Sequence, residues 1–93
     1  MATDPEARTQ LARLLRAESL VTASPFELHA AVETGFGLLV QGLVAETSAS
    51  DDVSDRESAL SFARLRLETL QSVLTPEQTS RLFEAVREKI EAW

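Results

Sequence analysis

FELHAAVETGFGLLVQGLVAE, residues 26–46, is the stretch that decides the fold. It reads as one long helix, about 25–47, apolar around most of its circumference. It holds all three glycines and the only histidine, and it has no lysine or arginine. At 100° per residue, Glu27, Thr34 and Gln41 fall on one narrow polar strip. Leu28, His29, Val32, Phe36, Leu39, Val40 and Leu43 cover the opposite side, and Ala31, Gly35 and Gly42 share a flank. A helix with so little polar surface must be buried centrally, at a subunit interface, or both.

Glycine inside a helix costs about 1 kcal/mol relative to alanine, so Gly35 and Gly42 on one flank need a reason. The preferred reading is close approach of another helix, including the same helix of a second copy. The alternative is a bend at Gly35-Phe36-Gly37. The interface expected from the first reading comprises Leu28, Ala31, Val32, Gly35, Phe36, Leu39, Gly42 and Leu43. His29 and Glu33 lie one turn apart and form a polar, pH-sensitive pair candidate. With no second histidine and Phe26 where a Glu-x-x-His motif needs glutamate, the pair is expected to serve packing. No metal or cofactor is expected.

Outward from this segment, four Ser/Thr-x-x-Glu/Gln boxes mark helix starts: Thr3…Glu6, Ser24…Glu27, Ser54…Glu57 and Thr75…Gln78. Pro5, Pro25 and Pro76 sit in first turns, where a missing amide hydrogen costs nothing. The expected helices are 4–19, 25–47, 54–73 and 76–92. Ala7, Leu11, Leu14 and Leu15 form the apolar face of the first. Leu60, Ala63, Leu67, Leu70 and Leu74, widened by Phe62 and Leu65, form that of the third. Leu82, Phe83, Val86, Ile90 and Trp93 form that of the last, which implies a docked C-terminus. Short links favour antiparallel neighbours. The fold class is therefore all-α, a compact four-helix bundle-like domain spanning residues 1–93. Thr47–Val53 is the loosest connection.

With 44% apolar and 26% charged residues, the composition is globular. Without cysteine there is no disulfide, zinc-thiolate site or thiol nucleophile. A net charge of -6 argues against direct nucleic-acid binding. No apolar run approaches the ~20 residues of a membrane span, and no signal pattern opens the chain, so a cytoplasmic protein is the expectation. Between Arg16 and Arg56 there is no lysine or arginine while seven carboxylates occur, either a solvated acidic surface or a patch for a basic partner. Abundant arginine and alanine suggest a bacterial source.

Leu74-Thr75-Pro76-Glu77-Gln78 is similar to the LTxxQ signature of the small helical periplasmic stress chaperones. That family carries the signature twice and this chain once, and no function is carried across.

There is no phosphate loop, nucleophile elbow or HExxH motif, so no enzymatic activity is expected. The leading expectation is a non-catalytic, self-associating interaction module: a homodimeric adaptor, regulator or assembly factor with a protein partner. The alternatives are an acidic, antitoxin-like regulator that covers a basic surface, and a small-molecule or metal-binding bundle centred on His29 and Glu33.

Overall fold

A computed structural model describes residues 5–93. The described chain is helical, with no strand: α1 Pro5–Leu15, α2 Pro25–Thr34, α3 Phe36–Ala49, α4 Arg56–Thr69 and α5 Pro76–Glu91. Two 3-10 turns, Glu18–Thr22 and Gln71–Val73, join α1 to α2 and α4 to α5. The all-α, bundle-like expectation stands, with five α-helices where four were expected.

The extra helix arises because the central segment breaks at Gly35, where α2 and α3 meet at 80°. Gly35 both ends α2, donating its amide to the Ala31 carbonyl, and opens α3, accepting from the Leu39 amide. Thr34 bonds back to the Ala30 carbonyl (3.0 Å), a habit that bends helices. The bend and the close approach, set against each other from sequence, occur together. A Cβ on Gly35 would overlap Leu15 Cδ2, and one on Gly42 would lie 2.8 Å from Leu14 Cδ2. The helix admitted by these small residues is therefore α1 of the same chain.

Helices α3, α4 and α5 pack against one another, and α1 lies on α3 and the Gln71–Val73 turn. Their buried residues recur every three or four positions: Leu39, Val40, Leu43 and Thr47 from α3; Ala59, Ala63 and Leu67 from α4; Leu82, Val86 and Ile90 from α5. Each large aliphatic side chain buried this way contributes about 1.5–3 kcal/mol over its exposed state. Buried Thr47 satisfies its hydroxyl on the Leu43 carbonyl at 2.7 Å. Arg66 and Glu46 join α4 to α3 at 2.9 Å, a half-exposed pair worth at most about 1 kcal/mol that fixes register more than strength.

The boundaries differ from expectation for identifiable reasons. Helix α1 stops at Leu15 because Arg16 turns left-handed, with φ of 55°. The Ala17 amide then reaches the Ala12 carbonyl and the Arg16 amide reaches that of Arg13, the Schellman pattern. Glycine normally holds that position, and a side chain there costs about 1–2 kcal/mol. Asp55, not Ser54, caps α4: its carboxylate accepts the Ser58 amide at 2.8 Å, and Ser58 Oγ accepts the Asp55 amide at 3.0 Å. The Ser24…Glu27 and Thr75…Gln78 boxes form as expected. Thr3 of the first box lies outside the described residues. Helix α3 continues through Thr47 to Ala49, so the connection starts at Ser50.

No single described helix is long and apolar enough to cross a membrane; α2 and α3 together have the length and composition but are sharply bent.

The three glycines separate by substitution. Gly37 has nothing within 4 Å of a built Cβ, so Gly37→Ala is expected to raise stability by up to about 1 kcal/mol. Gly42→Leu must displace Leu14 and is expected to cost about 1–3 kcal/mol. Thermal unfolding by circular dichroism measures both. Equal melting temperatures for the two variants would refute the α1–α3 notch.

Candidate protein-interaction surfaces

The expected interface residues of the central segment divide into two groups. Leu28, Val32, Leu39 and Leu43 are at most 1% exposed, spent on the core of this one chain. Ala31, Gly35, Phe36 and Gly42 are half-buried, the two glycines beneath Leu15 and Leu14. The strip of Glu27, Thr34 and Gln41 is exposed, but the bend divides it between α2 and α3.

His29 and Glu33 do not pair with each other. Both instead meet Gln78, the N3 residue of α5, which is only 4% exposed. Gln78 Oε1 accepts the Thr75 amide (3.1 Å) and completes the capping box. Its Nε2 donates to the His29 carbonyl (3.0 Å) and to Glu33 Oε2 (2.8 Å). Arg81 pairs with the same carboxylate oxygen, and its guanidinium lies 5.2 Å from the Phe36 ring centre. One glutamine and one arginine of α5 thus hold the elbow between α2 and α3. Sequence reading assigned Gln78 only its capping role. A capping glutamine uses its oxygen alone, however, and its two remaining N–H donors need acceptors when buried.

Among the described residues, no three His, Cys, Asp or Glu side chains converge as a metal site would require. The Glu33 carboxylate is already engaged by Gln78 and Arg81.

The acidic run is largely consumed by folding. Glu33 and Glu46 pair with arginines of α5 and α4, while Glu27 and Asp55 cap their own helices. Asp55 is held below the ordinary carboxylate range by the Ser58 amide and hydroxyl. Asp52 and Glu57 have no ion-pair partner among the described residues. They rim an open concavity of about 460 Å³ whose apolar side chains are Phe62 and Leu65, and no cation lines it. Leu65 is 61% exposed and Phe62 is half-buried, so neither widens the buried stripe of α4 as expected. The expected stripe of Ala63, Leu67, Leu70 and Leu74 is buried, with Leu60 partly buried beside it, and Ala59 joins it where a small side chain lets α4 lie close to its neighbours.

Other apolar side chains reach the surface: Phe26 (82% exposed) and Leu38 (45%) on the elbow, and Trp93 (47%), whose carbonyl accepts from Arg56 at 2.6 Å. A second, larger concavity of about 980 Å³ lies between α1 and the Glu18–Thr22 turn. Arg13 and Arg16 line it at the negative end of the α1 dipole, where a cation gains about 0.3–1 kcal/mol.

No protein-family model, curated protein or solved structure matches the chain.

Gln78 and Glu33 make a pH-dependent prediction. The Gln78 amide, reinforced by Arg81, holds the Glu33 carboxyl below its ordinary value of 4.5. This stabilisation is complete above the unfolded-state pKa and disappears as pH falls through the folded-state value. Gln78→Glu keeps a residue able to complete the capping box but sets a second carboxylate against Glu33. Like charges raise the pair's pKa values, so the penalty is full at pH 7 and fades on protonation. The variant is expected to melt about 5 °C or more below wild type at pH 7, with the gap narrowing by pH 4. An unchanged gap would show that charge plays no part at this joint.

Proposed function

We propose that this chain is a non-catalytic protein-interaction module whose outer α4 face receives a basic partner segment. The observation that supports this is the exposure of Leu65 beside Phe62 in a concavity rimmed by Asp52, Asp55 and Glu57. An apolar centre with a charged rim is the ordinary anatomy of a binding patch, and its unbalanced negative charge selects cationic partners. A second copy is disfavoured at this face, because chains of net charge -6 would bring their carboxylates together. The module acts as an adaptor or regulator by covering a positive surface, and it involves neither nucleic acid nor cofactor.

Self-association is a second reading, favoured by a different observation. Phe26 and Leu38 stand exposed on the two arms of the elbow, outside the core that claims Leu28, Val32, Leu39 and Leu43. A dimer through this surface would use the elbow's outside rather than the buried flank of Gly35 and Gly42.

Size exclusion with light scattering, followed by partner capture, separates the two. The α4 reading predicts a 10.2 kDa monomer. It also predicts loss of most partner capture in Leu65→Glu, with melting temperature within a few degrees of wild type, since exposed positions change stability by only about 0.5 kcal/mol. Undiminished capture by Leu65→Glu would dismiss it. The elbow reading predicts a dimer that Phe26→Ser dissociates.

A further inference from the structure

We propose that the concavity between α1 and the Glu18–Thr22 turn is a docking groove for an acidic peptide segment carrying one apolar side chain. This surface is separate from the α4 face and independent of it.

The first support is how the arginines are employed. Arg8 donates to the carbonyls of Val21 and Ala23, and Arg56 to that of Trp93. Arg64 lies over Phe83, Arg66 pairs with Glu46, Arg81 with Glu33, and Arg87 with Glu84. Only the side chains of Arg13 and Arg16 lack such a contact among the described residues, in a chain with 15 carboxylates for nine cations. Both line the same groove. Glu18 also lines it without pairing to either arginine, which leaves the groove with net positive charge on a negative protein.

The second support is the backbone of Arg16. Its φ of 55° suits glycine, and the strain exceeds what a cation gains from the α1 dipole. Arg13 already supplies that cation without strain. A guanidinium at position 16 therefore has no folding role to justify it, and strain retained without one points to binding.

The third is the groove's apolar content. Ala12 and Ala17 line it, and Val21 is 43% exposed at its edge. Arg8 ties the Glu18–Thr22 turn to α1 through the Val21 and Ala23 carbonyls. Two unengaged guanidiniums beside a small apolar surface recognise carboxylates flanking an aliphatic side chain.

The test uses the full chain, ¹⁵N-labelled, and an acidic decapeptide of Asp and Glu around a single central leucine. Saturable amide shifts are expected at Arg13, Arg16, Ala17 and Val21, with affinity falling about tenfold between low salt and ~0.5 M NaCl. Arg16→Gly is expected to raise the melting temperature while weakening the peptide about fivefold or more. Arg13→Ala combined with Arg16→Gly should abolish binding. A residue with a folding role alone cannot give that combination of greater stability and weaker binding. The proposal is overturned by absence of saturable shifts at ~1 mM peptide, by an equal response to a lysine counterpart, or by full affinity in Arg16→Gly. Equal binding of a peptide with serine for leucine, or the same shifts from inorganic phosphate, would make this a general anion surface and equally overturn it.

Discussion

Leu15 rests on Gly35, and Leu14 rests on Gly42, without room for a Cβ at either glycine. The rest of the arrangement follows from that contact. It seats α1 against α3 beside the point where the central segment gives up helical continuity at Gly35. Once α2 swings away by 80°, its Leu28 and Val32 enter the core from a new direction. The end of α2 then needs its own anchor, and α5 provides it through Gln78 and Arg81. Removing the glycines would therefore affect a helix, an elbow and an ion pair together.

Periodicity carried most of the fold. Apolar residues spaced at three and four found α1, α4 and α5, and two capping boxes marked starts that the structure reproduces. The failures were local. At Gly35 the pattern of residues 26–46 is compatible with both a straight and a bent helix, and the packing partner that meets it there, Leu15, lies outside the segment. At Arg16 nothing in the sequence announces a stop, because glycine is the usual signal and arginine holds the place. At Ser54 and Asp55 two good capping residues stand side by side; Ser58 Oγ accepts both of their amides, and Asp55 is the cap because its carboxylate accepts the Ser58 amide. For α4, the expected stripe of Ala63, Leu67, Leu70 and Leu74 is buried, but the widening by Phe62 and Leu65 is not, and Ala59 takes a core place that size alone did not suggest. Close packing among three helices favours small residues, so Ala59 and Ala63 lie fully buried while Leu65 faces out. The candidate site was less legible for the same reason, since a residue's availability depends on what packing leaves over.

Charge shows this most clearly. A run of seven carboxylates without a lysine or arginine reads either as a solvated acidic surface or as one patch for a basic partner. Folding brings Arg66 and Arg81 from later in the chain onto Glu46 and Glu33, and commits Glu27 and Asp55 to caps. Of the run, Glu18, Asp51 and Asp52 keep no ion pair or cap among the described residues; Asp52 joins Glu57 at the α4 concavity, while Arg13 and Arg16 line the one beside α1. The molecule thus presents two concavities of opposite sign, although its net charge of -6 suggests a uniformly acidic surface.

These two concavities differ in how firmly their charges are explained by folding. Around Phe62 and Leu65, Asp55 caps α4 and Glu57 occupies its first turn, where carboxylates favour a helix regardless of any ligand. The exposed apolar side chains are what folding leaves unexplained there. Around α1 the balance is reversed: Ala12 and Ala17 are accounted for by packing on the core, Val21 is an unremarkable exposed residue, and the left-handed Arg16 is the anomaly. Sequences that specify one structure tend to agree with their local geometry everywhere except where function imposes another demand. By that standard Leu65 and Arg16 are the residues of these two concavities whose placement the fold itself does not require.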